Sequence, residues 1–477
     1  MIVKLGVIGA GYVGLVTAAC LAKLGHSVVC YELDADRVAR LSVADLPIAE
    51  PGLEPLVRDG LVSGRLRFTT DATELRGVPL AIVAVGTLDA VGAWTVDLVR
   101  KAVLGIAADP AAPRSIVIRS TLLPGTAAGL AHELSVTHAD VRLAVNPEFT
   151  REGTAVADFL APDRVVIGTD DETGRMAEEL RLLYAPLGAA IMVTDLTSAE
   201  MIKVASNVFL AAKITFANEL ARLCEATGAH VSAVVDGIGL DRRIGRAFLT
   251  PGPGYGGSCL PSQARALPAV AEAAGVQVPL MASIARSDEY QADWLIGLAE
   301  AALDGRLAGR HITVLGMTFK AGTDDLRESP ALRLIARLTD RGALVTAHDP
   351  IATRRGVSML ASSGVKVESA DSAEEACRGA EAVFIATEWP EYRALNWEQI
   401  KPLLSGSLIV DSRGIVDAEQ ASAAGLRIVG LPGGSPIRRP VTDSFSIRPG
   451  HRNGSWLDLE PDPAHEAPEQ RDAVSAG

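Results

Sequence analysis

The segment that most constrains this chain lies near its start. Residues 3–8 (VKLGVI) form a short apolar run, Gly9-Ala10-Gly11-Tyr12-Val13-Gly14 follows, then comes a helical pattern (LVTAACLAKLG). A second apolar run, Val28 to Tyr31, ends at Glu32. Strand, glycine turn, helix, strand and acidic residue in this order form a dinucleotide-binding unit. The glycines let the backbone approach a pyrophosphate, whose charge the helix N-terminus favours. Glu32 is suited to accept both ribose hydroxyls and would repel a 2′-phosphate, so the expected cofactor is NAD rather than NADP. Its candidate binding residues are Gly9, Gly11, Tyr12, Val13, Gly14 and Glu32.

Further strand-like runs follow at 80–85, 115–119, 141–145 and 164–168, with helical segments between several of them. Such alternation predicts a parallel, doubly wound sheet. Around 196 the pattern changes. Thr197 and Glu200 fit a capping box, and a helical stretch then continues to about Thr227 without glycine or proline. At about 1.5 Å per residue that helix is long enough to bridge two domains. Alanine-rich helical sequence runs from 262 to 304, and a second α/β pattern begins at His311 and ends near Gly430. From 431 on, seven of the chain's 26 prolines fall in 47 residues, which predicts a poorly ordered tail. The expected fold class is α/β, with two Rossmann-like doubly wound domains joined by a long central helix. The expected divisions are 1–195 for NAD, 196–305 helical, 306–430 for a second nucleotide, and 431–477 as a flexible tail.

Composition removes other classes. With 477 residues, at about 150 per domain, roughly three domains are expected, and 48% hydrophobic content supplies their cores. No run approaches the ~18 apolar residues of a membrane span, and the N-terminus lacks a signal-peptide layout, so the chain is expected in the cytoplasm. Net charge is −13, which argues against a nucleic-acid or anionic-membrane partner. The five cysteines are scattered without a CxxC, so neither a disulfide framework nor a metal site is expected.

Cys259 stands apart, because it closes the segment PGPGYGGSC (251–259), with four glycines and two prolines that bring backbone close to a ligand. A tight structural turn with an inert cysteine fits the same composition. Lys203 and Asn207 are spaced i, i+4 and share one helix face. From spacing alone they fit two solvated side chains best, and an oxyanion-binding pair is the functional reading. Asn146-Pro147-Glu148-Phe149-Thr150-Arg151-Glu152 puts two carboxylates after a strand, where one could activate water. Lys320, after HITVLGMTF, fits a phosphate contact at the second sheet's first turn, or equally a solvated lysine.

In sum these pieces resemble the UDP-glucose/GDP-mannose dehydrogenase family, and within it the UDP-glucose 6-dehydrogenases. The likeness runs from residue 1 to about 430. It is carried by GAGYVG (9–14), EPGL (50–53), VGT (85–87), STLLPGT (120–126) and NPEFTREGTAVADFLAPDRVVIG (146–168). It continues in TSAEMIKVASNVFLAAKITFANE (197–219), GIGLDRRIGRAFLTPGPGYGGSCLP (237–261), FKAGTDDLRESPAL (319–332) and DSR (411–413).

The resemblance implies a homodimer built on the central helix, and oxidation of a sugar C6 alcohol to a carboxylate with two NAD per turnover. It implies NAD contacts at Glu32, Arg37, Thr87, Thr121, Glu152 and Arg327. It implies nucleotide-sugar contacts at Phe149, Thr150, Arg151, Glu152, Lys203, Asn207, Phe248, Leu249, Thr250, Pro251, Gly252, Gly256 and Lys320, with Arg243 reaching in from a partner subunit. Cys259 would be the nucleophile, Lys203 and Asn207 the oxyanion partners, and Glu148 the water-activating base. In place of the family's lysine and aspartate after the cysteine, this chain has Ser262 and Gln263. Gln263 can hydrogen-bond but cannot take a proton, which leaves three outcomes open: proton handling reassigned to Thr121, Glu148 or water, a slow or partial enzyme, or a non-catalytic nucleotide-sugar binder. Another sugar (GDP-mannose or a UDP-N-acetylhexosamine) is the nearest enzymatic rival.

Overall fold

A computed structural model describes residues 3–89, 94–170 and 174–431. The segment expected to form the tail lies, from 432 onward, outside the described residues. The first sheet contains β1 (Lys4–Ile8), β2 (Ser27–Tyr31), β3 (Leu66–Thr69), β4 (Leu80–Val83), β5 (Ser115–Ile118), β6 (Arg142–Val145), β7 (Arg164–Thr169) and β8 (Ala190–Thr194). Its strand order is β3-β2-β1-β4-β5-β6-β7-β8. The second contains β9 (His311–Leu315), β10 (Leu344–His348), β11 (Glu368–Ser369), β12 (Ala382–Ile385), β13 (Leu408–Asp411) and β14 (Arg427–Gly430), ordered β11-β10-β9-β12-β13-β14. Both orders reverse direction beside their first strand, and ligands bind at the strand carboxyl ends of such switch points.

Seven of the helices position the site: α1 (Tyr12–Lys23), α2 (Thr126–Thr137), α3 (Ala155–Leu160), α4 (Leu196–Thr227), α5 (Cys259–Ala273), α6 (Pro279–Ala302) and α7 (Pro330–Asp340). Helix α1 is buried continuously from Gly14 to Ala22, as its nearly uniform apolar sequence requires. At Gly14 a Cβ would fall 1.9 Å from the Gly9 carbonyl oxygen, so only glycine lets the helix start this close to β1. Helix α4 has 32 residues, about 48 Å of rise, and carries Lys203 and Asn207 on its buried face.

Three expectations need correction. The first sheet is not wholly parallel, because β6 and β7 pair antiparallel (Val145↔Gly168). Residues 146–163, including the six-residue α3, stay at the end of the sheet where β6 finishes, so β7 runs back alongside it. The Thr197/Glu200 capping box does not form. Asp195 caps α4 by accepting from Ser198 N–H, while Glu200 points away and accepts from Gly125 and Ala127 N–H at the start of α2. The helical run 262–304 is two helices, α5 and α6, broken around Gly275, which sits at φ +71°.

Candidate active site

At the carboxyl end of β1, Gly9 N–H donates to the Tyr31 carbonyl (2.8 Å), folding the turn back on β2. Glu32 accepts from Ala10 N–H (2.9 Å) and from Leu33 N–H (2.8 Å), and Arg37 stands 3.5 Å away. A Cβ at Gly11 would meet nothing within 4 Å. Packing therefore does not demand that glycine, whereas close approach of a diphosphate to the helix N-terminus does. The residues present fit NAD. Thr87 and Thr121 lie half-buried in the loops after β4 and β5, and Ser120 Oγ ties these loops by donating to the Val85 carbonyl (2.7 Å). Tyr12 donates its hydroxyl to Glu50, which also accepts from Gly153 and Ala155 N–H at 2.7 Å. Glu50 thus joins the cofactor turn to the loop after β6. Sequence reasoning quoted the EPGL stretch but assigned Glu50 no role.

The loop after β6 holds the reactive cluster. Glu148, 6% exposed, meets Lys203 Nζ at 2.8 Å and takes Thr150 N–H and Oγ at 2.6 Å. Desolvation acts to raise the Glu148 pKa, but the Lys203 charge and these hydrogen bonds outweigh it and hold the carboxyl below its usual range. Phe149 offers its ring face to Arg164 (3.8 Å) and Lys203 (5.4 Å). Asn207 lies one turn beyond Lys203, also buried.

Cys259 is the first residue of α5 and is reachable from solvent, whereas Cys20, Cys30, Cys224 and Cys377 are buried. The sequence pattern placed it at the end of a loop and missed that it opens a helix. The helix N-terminus favours a thiolate. Against this, desolvation at its seat and then the Glu148 and Glu152 charges push the thiol up, and Lys203 and a contact with the Ser258 hydroxyl (3.6 Å) only partly offset them, so the thiol sits above its usual range. Gln263, one turn into α5, is 2% exposed, and its Oε1 has no partner among the described residues. Ser262 spends its hydroxyl on the Ser258 and Cys259 carbonyls.

The second sheet supplies the opposite wall. Lys320 donates to the Glu152 carbonyl, and Arg327 meets Glu152 (3.0 Å) and Asp325 (2.7 Å). Desolvation and Asp325 push the Glu152 carboxyl well above its usual range. Desolvation also pulls Lys320 down. Gly257 N–H donates to the Arg327 carbonyl (3.0 Å), fastening the cysteine segment to this arm. At Gly256 a Cβ would lie 2.7 Å from Phe319 Cβ, so the segment packs flush.

Arg413, in DSR, donates to the Phe319 and Ala386 carbonyls and lies against Gly252. The motif was visible, but no role had been assigned to the arginine. Phe248 is held at φ +63°, Leu249 and Pro251 are buried, and Thr250 meets Arg246 (3.1 Å). Arg151 pairs with Asp158 (2.6 Å) on the surface. Arg243 is 89% exposed and pairs with Asp241, so this protomer does not bring it to its own site.

Two doubly wound sheets, a fitted dinucleotide turn and a Cys–Lys–Glu cluster define a dehydrogenase with two nucleotide-binding halves. The chain belongs to the UDP-glucose/GDP-mannose dehydrogenase family, matching its NAD binding domain over residues 3–188, its central domain over 197–290 and its UDP binding domain over 313–418. It is an NAD-dependent nucleotide-sugar dehydrogenase. Among similar proteins, a Rickettsia typhi UDP-glucose 6-dehydrogenase is 39% identical over 88% of this chain and 97% of its own. One from Rhizobium meliloti is 40% identical over 90% and 99%. Among solved structures, a UDP-glucose dehydrogenase from Pyrobaculum islandicum matches with TM-score 0.81 and 36% identity over 91% of this chain and 98% of that one. A UDP-D-ManNAc dehydrogenase from Pyrococcus horikoshii matches with TM-score 0.79 and 28% identity over 90% and 99%. Among the described residues no helix is long and apolar enough to cross a membrane.

Proposed function

We propose that the chain oxidises the C6 alcohol of UDP-glucose to the carboxylate of UDP-glucuronate. NAD supplies the hydride acceptor in each of two oxidations. The chain's own residues do the rest. Lys203 and Asn207 stabilise the C6 oxygen as negative charge develops on it while hydride leaves C6. The Cys259 thiol adds to the C6 aldehyde, its sulfur bonding C6 and its proton passing to the former carbonyl oxygen, to give a thiohemiacetal, because an aldehyde has no second hydride to give until a nucleophile has added. The second oxidation leaves a thioester, and Glu148 takes the proton of the water that cleaves it, releasing carboxylate and free thiol. The observation that carries this reading is the buried Lys203–Glu148 pair, which acts electrostatically on an accessible cysteine at a helix N-terminus.

The proposed divisions remain 1–195, 196–305 and 306–430, with UDP gripped at Lys320, Gly252 and Gly256. A homodimer is supported by Phe209, Phe216 and Leu223. They stand seven residues apart along α4 and expose 68%, 52% and 59% of their surface. A second reading, slow or partial turnover, draws on Gln263, a buried neutral group one turn along the helix from Cys259 whose Oε1 has no partner among the described residues.

The deciding measurement is NADH released per UDP-glucose consumed with excess NAD, with Cys259→Ser alongside. Two NADH per sugar, abolished by the serine variant, is the expected result. One NADH favours the partial reading. None, with UDP-glucose bound, points to a different sugar or a silent site.

A further inference from the structure

The segment that delivers Cys259 is clamped from behind. Between Gly252 and Tyr255 its backbone has no strand partner, and side chains of the central helices take its polar groups. Gly252 N–H donates to Asn218 Oδ1 on α4 (2.7 Å), and its carbonyl accepts from Gln291 Nε2 on α6 (2.9 Å). Tyr255 N–H donates to Asp288 Oδ1, also on α6 (2.9 Å). Asp288 differs from the two amides. It is 3% exposed, and its other oxygen accepts from Arg333 Nη1 on α7 at 3.1 Å, so it ties the segment to the second sheet's layer as well. Gly254, at φ +124°, runs so close that a Cβ would lie 2.8 Å from Asp288 Oδ1.

Burial pushes this carboxyl up to about 6 against the pull of Arg333 and the Tyr255 amide. For packing alone, an apolar side chain would fill the place at lower desolvation cost. What a leucine cannot supply is an acceptor whose direction an arginine fixes.

We propose that Asp288 is a positioning residue for Cys259: anchored by Arg333, it holds the Tyr255 amide and so sets where the 252–258 segment delivers Sγ. The proposal extends the reading of Cys259 as nucleophile. Its test separates the two.

The other four cysteines are buried, so iodoacetamide alkylation reports on Cys259 in the folded protein. In Asp288→Ala, alkylation slows by about tenfold and kcat falls roughly 10- to 100-fold, the scale expected of a reacting atom displaced by about 1 Å. The KM for NAD stays within about threefold, because the dinucleotide turn is untouched. Asp288→Asn keeps an acceptor for Tyr255 but turns an amide N–H toward Arg333, so it recovers only part of both rates. Wild-type alkylation and kcat in the alanine variant overturn the proposal, and so does an asparagine variant no better than alanine. If the alanine variant does not fold, Asp288→Leu with Arg333→Met replaces the buried pair by apolar groups, and alkylation at the wild-type rate there overturns it. Turnover surviving in Cys259→Ser removes the nucleophile reading, while the alkylation comparison still decides whether Asp288 sets the thiol.

Discussion

The two sheets begin with the same device and put it to different uses. Gly9 and Gly316 have nearly equal φ (+96° and +100°), and each donates its N–H at 2.8 Å to the last residue of the neighbouring strand, Tyr31 or His348. An acidic residue follows that strand in both, Glu32 and Asp349. In the first sheet the helix starts at Tyr12, so its N-terminus opens at the switch point. In the second, the helix waits until Pro330, and residues 317–329 form an arm that carries Lys320 and Arg327 to Glu152. The acids differ accordingly. Asp349 is 3% exposed and consumed internally, with Oδ2 accepting from Met317 N–H, Thr318 N–H and Trp389 Nε1, and Oδ1 from Ile351 and Ala352 N–H. Glu32 keeps part of its surface open. Shared topology puts both switch points at strand carboxyl ends, and the distance from glycine to helix decides whether a helix N-terminus or an arm of side chains stands there.

The largest way to break this comparison is Gly14→Ala. The added methyl collides with the Gly9 carbonyl, so the turn and helix must part, and NAD affinity should fall by roughly 100-fold, the scale of a 2–3 kcal/mol overpacking cost. UDP binding, measured by calorimetry, should survive. A parallel loss of UDP binding would mean that the two halves fold as one unit.

Exchanging the acids sharpens the contrast. Asp349→Ala should cost about 3 kcal/mol in denaturant unfolding, since it strands several buried donors, and should leave the KM for NAD unchanged. Glu32→Ala should do the reverse, raising the KM for NAD tenfold or more at nearly unchanged stability. Equal stability losses would show that Glu32 is also chiefly a brace.

Much of this was legible in the sequence because it is local. The GxGxxG turn, Glu32, and the i, i+4 pair Lys203/Asn207 lie within single elements, and the motifs around Glu148 and Cys259 are contiguous. What escaped depends on contacts across long separations. Glu200 reads as a capping-box residue until the start of α2 is laid against α4. Asp288 and Gln291 read as polar positions of a helix until the 252–255 backbone is laid against them, and Glu50 until residue 153 arrives. The antiparallel β6–β7 pair was missed because strand runs carry no direction. Arg243, which the resemblance assigned to a partner's site, is exposed and pairs with Asp241.

Glu200 gives a smaller, pH-dependent test of how firmly the first sheet's switch point is held. Burial raises its carboxyl to about 7, and the Ala127 and Gly125 amides oppose this only in part. A carboxyl raised on folding makes the native state hold a proton that the unfolded chain has released. Its stabilising contribution is therefore complete below about pH 4.5 and is lost as pH rises through about 7. Unfolding free energy should fall by on the order of 2 kcal/mol between pH 5 and 7.5, and Glu200→Gln should flatten that slope. A slope unchanged in the variant would move the effect to Glu152.

The smallest expected effect concerns Arg37, and it separates two roles. Glu32 is already fixed by the amides of Ala10, Leu33 and Asp34, and the Arg37 guanidinium stands 3.5 Å away on a side chain 38% exposed. An exposed pair of this kind contributes about 0–0.5 kcal/mol, so Arg37→Ala should leave the urea midpoint nearly in place. If Arg37 also touches the adenosine half of NAD, the KM for NAD should rise a few-fold with kcat constant, the pattern of lost uniform binding. An unchanged KM would confine Arg37 to the surface. A large rise together with lost stability would mean that Glu32 depends on it, and the first acid would then be as internally committed as Asp349.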